Sequence, residues 1–388
     1  MSDFSWVPLE ELRLRSSVKW RAYSPDVIPV WVAEMDVRLA TPITERLRRA
    51  VELGDTGYAW TAEVGEALGV FAATRWNWIV DSARVMPVAD VLTGVGQALI
   101  ALTEPGDAVV INSPVYPPFF TTVQHVARRE LRDVPLVWDG QRYVLDREAM
   151  ERAFADPSTR AYLMCSPHNP TGRVFDREEL RFIASLADRH GVLVVADEIH
   201  APTTYPDRAF VPYLTVSGDA PAVSVISASK AWNLAGLKCA QVVAGSADVR
   251  DKLRARVPLE VQHGAGHLGA LAAIVAYTEG TSWLDELLEQ LQGQSMRLRA
   301  LMAKQVPQLT FAPPEASFLA WLDCRALELP GDPAAFFLAH GQVALNSGPT
   351  FGPGGAGFAR LNFATSPEVL DEVVARMASA VASQSAIA

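Results

Sequence analysis

The chain has 388 residues, 49% hydrophobic and 20% charged, enough to bury a large core in two or three domains. Its net charge of −10 comes with no basic tract or arginine-rich arm, which argues against a nucleic-acid partner. The most apolar long window, residues 264–277, is too short to span a bilayer and contains His267, so no membrane partner is expected either.

Cys165, Cys239 and Cys324 are odd in number and include no C-x-x-C pair. They predict no disulfide framework and no metal site, and they fit a reducing, cytoplasmic setting. The first residues, MSDFSWVPLEELRLR, lack the apolar core of a signal peptide. Residues 1–23 read as an arm, with Leu9, Leu12 and Leu14 available to dock on a neighbour. Residues 30–36 are mostly apolar and predict an extended segment. Ile43, Leu47, Ala50 and Val51 recur at helical spacing, and GDTG at 54–57 closes that helix with turn chemistry. Tyr58 and Trp60 follow the turn, and a second helix is predicted over 65–78.

Residues 91–102, VLTGVGQALIAL, read as a short strand passing into a helix, with Thr93-Gly94-Val95-Gly96 at the junction. Glycines ahead of a helix let backbone N–H groups close on an anion, and the helix dipole adds to the attraction. G-x-G alone is a weak signal, and this one is no dinucleotide fingerprint. A strand over 108–112 leads into a loop with Tyr116, which fits a core aromatic beside prolines or a ring presented to a ligand.

Three strand ends then follow in series. AYLMCSPHNPTG at 161–172 is a strand that runs into Asn169. Asp176 and Glu179 form a capping-box pattern for a helix to about His190, with Leu180, Ile183, Ala184 and Ala187 inward. GVLVVADEIH at 191–200 is a buried parallel strand ending at Asp197, Glu198 and His200. A carboxylate there is costly unless a cation meets it. VSVISASKAWNLAGLKCAQ at 223–241 is a strand ending in Ser227, Ser229 and Lys230. Strand, helix and strand alternate as in a βαβ unit, whose ligands bind at the carboxyl edge of the sheet. A lone lysine is ordinarily a surface residue, and a lone histidine is as readily structural. The series Asn, Asp, Ser-x-x-Lys at one edge argues for a site.

Downstream, a strand is predicted over 240–244 and helices over 248–256, 264–277 and 283–306. An α+β tail follows: strand 317–322, helix 333–340, strand 343–345, a glycine- and proline-rich run at 348–357, strand 358–364 and helix 367–382. Arg360 in the middle of a strand needs an anionic partner, either a bound carboxylate or an ion pair of the fold.

HNPTG, ADEIH and SASKAWNLAGLK together closely resemble the fold-type I pyridoxal-phosphate (PLP) enzymes of the aspartate aminotransferase superfamily. VWVAEMDV at 30–37, DTGYAW at 55–60, SPVYPPFF at 113–120 and DEIHAP at 197–202 resemble its cystathionine β-lyase branch, which contains the MalY/PatB-type C–S lyases. The resemblance runs from about Ser24 to Met377. It implies an α/β fold: a large, mostly parallel-sheet α/β/α domain over 45–280 that binds PLP, and a smaller α+β domain from 1–44, with the N-terminal arm, plus 281–388. Lys230 is implied as the Schiff-base lysine and the base at the substrate Cα, Asp197 as the partner of the ring nitrogen, and Tyr116 as the stacking ring. Asn169 and His200 fall where the family contacts the phenolate oxygen. Ser227, Ser229 and the Gly94, Val95, Gly96 turn would hold the phosphate. Lys238 stands near it where many relatives carry an arginine, and a lysine lacks the bidentate fork. Tyr58 would reach the phosphate of the other subunit in a homodimer with shared sites. Arg360 would take the substrate α-carboxylate, with Trp31 and Asn169 beside it, while Trp31, Tyr116, Trp232 and the 348–357 run would shape specificity.

The implied reaction is β-elimination of cystathionine or another cysteine S-conjugate to pyruvate, ammonia and a thiol. An aminotransferase would share Lys230 and Asp197, but DEIH and WVAEMD favour the lyase. A PLP-fold binding or regulatory module is a third reading, which an intact Lys230, Asp197, Asn169 and Arg360 argue against.

Overall fold

The alternating apolar runs assemble into one seven-stranded sheet in the computed structural model, which describes residues 3–385. Across the sheet the strands are Val85–Val88, Ala240–Ala244, Ala222–Ile226, Leu193–Asp197, Thr159–Cys165, Ala108–Ile111 and Glu130–Asp133. Ala240–Ala244 runs antiparallel to both neighbours, and the remaining pairs are parallel. Residue parity divides the two faces. Val109, Ile111, Leu163, Val195 and Val225 pack with Val95 and Leu99 of the helix Val91–Leu102. Val110, Tyr162, Met164, Val194 and Ala196 pack instead with Met150, Leu180 and Ile183 from the helices Arg147–Ala155 and Arg177–His190. The result is three layers, helix–sheet–helix.

The helix Arg177–His190 forms where the sequence places it. Asp176 and Glu179 make the full capping box, and Gly191 closes the far end at φ 65°. Each Leu or Ile it buries contributes about 1.5–3 kcal/mol relative to exposure.

A second, three-stranded antiparallel sheet holds Leu319–Asp323, Phe358–Asn362 and Asn346–Ser347. The long helix Thr281–Gln305 and the terminal helix Pro367–Ser385 pack on each other beside it.

Three expectations change. Residues 91–102 are helical throughout, and the preceding strand is Val85–Val88. Asp90 caps the helix by accepting from Thr93 N–H at 2.8 Å, so the glycines lie inside it. A Cβ on Gly94 would stand 2.8 Å from Val242 Cγ2 and 2.9 Å from Val225 Cγ1. That glycine serves close helix–sheet packing, not a loop. Residues 31–36 are irregular, with only Ile28–Pro29 paired as strand, to Val343–Ala344. In the N-terminal arm, Leu12 is fully buried and Leu9 partly buried in this chain's own core, while Leu14 is exposed.

Candidate active site

Parity and register build the site. Cys165 pairs with Asp197 across two parallel strands, and Asp197 pairs with Val225 on the next. All three occupy odd positions, on the face covered by the helix Val91–Leu102. Where those strands end, the chain turns outward and delivers Asn169, His200, Ser227, Ser229 and Lys230 around a cavity of about 190 Å³. Asp197, Tyr116 and Lys238 line it too, as do Ala33, Asp90, Val91 and Leu92.

Lys230 Nζ donates to the Ala33 carbonyl at 2.8 Å. The residue keeps some exposure. Desolvation of the amine, followed by the nearby Arg360 charge, nevertheless lowers its pKa to about 8. Asp197 is buried and accepts one hydrogen bond, from Ile199 N–H at 3.1 Å. Burial raises its pKa to about 7. His200 is buried with Nδ1 unpartnered, and burial lowers its pKa to about 3, so the ring is neutral. Glu198 occupies an even position and turns away, accepting from Tyr213 N–H at 2.7 Å and from the Ser224 hydroxyl. It belongs to the fold.

Arg360 is buried in its strand and lies just outside the lining. Its Nη1 donates to Asn169 Oδ1 and its Nη2 to the Trp31 carbonyl, both at 2.9 Å, while Nε has no partner among the described residues. Phe351 lies beneath the guanidinium, 5.1 Å from ring centre to Cζ. Desolvation lowers the Arg360 pKa to about 10, which leaves it charged at neutral pH.

At the start of the helix Val91–Leu102 the first amides face no intrahelical acceptor, and Val91 and Leu92 line the cavity. Lys238, at φ 61°, reaches Asp90 Oδ2 at 2.9 Å. Burial works to raise the Asp90 pKa, but the Lys238 and Thr93 hydrogen bonds together hold it below the usual carboxylate range.

Eight residues singled out in the sequence thus meet in one cavity, with Arg360 bonded to one of them. Others stand elsewhere. Gly94, Val95 and Gly96 lie in the body of the helix, Gly94 against the sheet and Gly96 against Thr122 and Val126, and none lines the cavity; the helix start, Asp90 to Leu92, does. Ser227 lines the cavity, but its hydroxyl donates to the Cys239 carbonyl at 2.6 Å and accepts from Ser229 N–H at 3.0 Å. It holds the turn that aims Lys230. Trp31 contributes its carbonyl, and Trp232 is fully buried with its indole N–H on the Gly280 carbonyl at 3.0 Å, a core residue. Tyr58 is fully exposed and outside the cavity of its own chain.

Sequence reasoning missed Asp90, although Asp-x-x-Thr ahead of an apolar run is a helix-start pattern. It also missed the Ala33 carbonyl, Cys165 and Cys239. No periodicity marks these, because their place depends on long-range register.

The family model Aminotransferase class I and II matches residues 79–377. The chain belongs to this family. Within it, the chain is a fold-type I PLP enzyme of the cystathionine β-lyase branch. A Mycobacterium tuberculosis protein, provisionally named a cystathionine beta-lyase, is 45% identical over 95% of this chain and 97% of its own. Cystathionine beta-lyase PatB of Bacillus subtilis is 34% identical over 96% of this chain and 98% of its own. The crystal structure of cystalysin from Treponema denticola, which contains a pyridoxal 5'-phosphate cofactor, superposes with a TM-score of 0.91 at 26% identity. That match covers 99% of this chain and all (100%) of cystalysin.

The side chains suit this cofactor. An amine of lowered pKa stands opposite a buried carboxylate that lacks a full complement of donors, beside an unpartnered neutral imidazole and free helix amides. These are the partners that an aldehyde, a cationic ring nitrogen, a phenolate oxygen and a phosphate require.

Proposed function

We propose that this protein is a PLP-dependent C–S β-lyase that cleaves cystathionine or a related cysteine thioether to pyruvate, ammonia and a thiol. The observation that carries the reading is the convergence of Lys230, Asp197 and Arg360 on one cavity edge, in a chain of the lyase branch.

Bound PLP supplies the electron sink that stabilises charge at the substrate Cα. Lys230 would hold the cofactor through its amine, which would also take the proton from the substrate Cα. Its lowered pKa, about 8, leaves more uncharged amine at neutral pH than an ordinary lysine has. Asp197 would hold the ring nitrogen in its protonated form, its carboxylate stabilised by that opposite charge. Arg360 receives the substrate α-carboxylate through its fork, aligned by Asn169 and the Trp31 carbonyl. Val91 and Leu92 amides, Ser229 and Lys238 would hold the phosphate, with Lys238 also offsetting the Asp90 charge beside it. Tyr116, in the cavity wall, would cover the ring. The active unit is a cytoplasmic homodimer in which the exposed Tyr58 and Trp60 pack on the neighbour and Tyr58 completes its site.

A panel of S-substituted cysteines, assayed for pyruvate and free thiol with no keto acid present, tests the reading. Stoichiometric pyruvate and thiol are expected. Turnover that requires a keto-acid acceptor would make the protein an aminotransferase instead.

A further inference from the structure

The irregular segment from Trp31 to Met35 crosses the site as a strap, and every one of its carbonyls is held by a side chain from elsewhere. Arg360 takes Trp31 O at 2.9 Å, Asn362 takes Val32 O at 2.8 Å, and Lys230 takes Ala33 O at 2.8 Å. Lys19 takes Glu34 O at 3.0 Å, an oxygen that Asn362 also holds at 2.7 Å, and Asn233 and Arg15 take Met35 O at 3.0 and 3.1 Å. With almost no sheet partners, the strap owes its shape to these donors. Two of them, Arg360 and Lys230, are the cations of the proposed chemistry. The other two cations on the strap, Lys19 and Arg15, lie outside the cavity.

Lys19 is built in deeply. Its side chain is 0% exposed, and its Nζ sits 2.7 Å from Asp36 Oδ1, itself 1% exposed. Trp20 Nε1 donates to the same oxygen at 3.2 Å, and Asp36 N–H continues to the Ala364 carbonyl at 2.9 Å. A desolvated ion pair gives little net stability against an apolar pair of the same shape, so stability alone is a weak reason for it. Direction is a better one. The ammonium clamps the strap at Glu34 and Asp36, on the side of Ala33 away from Trp31.

We propose that Lys19 is a positioning residue of the active site: by clamping the strap at Glu34 and Asp36 it fixes the carbonyls on which Lys230 and Arg360 are registered. This rests on the lyase reading for the roles of those two residues, and it goes beyond it in assigning a buried ion pair outside the cavity. Catalytic groups must be held to within a fraction of an ångström, and a misplacement of about 1 Å can cost about 100-fold in rate. Asn362, Arg15 and Asn233 still hold that end, so loss of the Lys19 clamp loosens the strap at Glu34 and Asp36 and shifts both references together. Substrate affinity through Arg360 and proton transfer through Lys230 therefore decline in the same variant.

The test uses the PLP-loaded enzyme, with Lys19→Met and, because that change alone leaves a buried lone carboxylate, the neutral double variant Lys19→Met/Asp36→Asn. Three readouts are taken: hydrogen exchange of the 31–35 backbone, the rate of PLP loss followed by its visible absorbance, and kcat and KM separately. The double variant is expected to fold, to exchange faster at 31–35 than wild type, to lose PLP sooner, and to show both a raised KM and a lowered kcat, with kcat/KM down by about 10- to 100-fold. A purely structural defect lowers the active fraction and scales kcat with KM unchanged, and that result overturns the proposal. So do wild-type exchange and wild-type kcat/KM in the folded double variant. Wild-type enzyme with no lyase turnover would instead refute the reaction assigned above. The strap is then judged on exchange and PLP loss alone, where faster values support the proposal and unchanged values overturn it.

Discussion

Asp197→Asn separates two opposite demands on one buried side chain. In the cofactor-free protein the carboxyl is enclosed with a single hydrogen bond from Ile199 N–H, and its pKa stands near 7 instead of 3.8. Between those values the folded state keeps a proton that the unfolded chain releases. This group's contribution to stability therefore falls as pH rises through that window, and the loss is complete above about pH 7. Roughly 3 pH units at about 1.36 kcal/mol each sets the loss at no more than about 4 kcal/mol. Asparagine retains Oδ1 for Ile199 N–H and cannot ionise. The cofactor-free variant is thus expected to exceed wild type in stability at about pH 8 by up to that amount, with the difference shrinking toward about pH 4. His200 titrates in both proteins, while Glu198 and Lys230, which feel the Asp197 charge, shift slightly when it is removed and make this amount an upper bound. Urea unfolding of both cofactor-free proteins at the two pH values is the assay. With PLP bound the order reverses, because the carboxylate then meets the cationic ring nitrogen, and turnover of the variant falls far more than its PLP affinity. A stability difference that is the same at both pH values would show that the fold does not desolvate Asp197, and the argument for its role would go with it.

Other outcomes follow from the same geometry. Gly94→Ala inserts a methyl against Val242 and Val225 and is expected to cost about 1–3 kcal/mol in denaturant unfolding; unchanged stability would mean the helix yields freely and the close packing carries no weight. Arg360→Lys keeps the charge but loses the fork and the Asn169 and Trp31 alignment, so KM for a cysteine thioether is expected to rise by roughly 10- to 100-fold, in line with the loss of a charged hydrogen bond worth about 1.5–3 kcal/mol; an unaltered KM would place the substrate carboxylate elsewhere. Mixed dimers of Tyr58→Phe and Lys230→Ala subunits should regain activity through one unmutated site, whereas no recovery after verified subunit exchange would remove Tyr58 from any shared site.

The site was legible where local pattern and strand period agree. Asn169, Asp197 and Lys230 each follow a nearly continuous apolar run, and parallel pairing brings the ends of such runs together without further information. The capping box at Asp176 is equally local. Gly94 and Gly96 misled, because a glycine that permits a loop and a glycine that permits close packing of a helix look the same in sequence. For Gly94 the difference lies in Val225 and Val242, far along the chain, and for Gly96 in Thr122 and Val126. The strap carbonyls at 31–35 were invisible for a related reason. A carbonyl carries no sequence signature, and its partners Arg15, Lys19, Lys230, Asn233, Arg360 and Asn362 are set by tertiary packing. Trp232 looked exposed to function because it follows the lysine by two positions, and that same turn drives it into the core.

The account stands most directly on where the cofactor is bound. Borohydride reduction of the PLP-loaded protein, followed by peptide mapping, should place the pyridoxyl group on Lys230, with no such adduct in Lys230→Ala. An adduct on Lys238 or Lys252 would contradict the assignment of the cavity and the chemistry built on it.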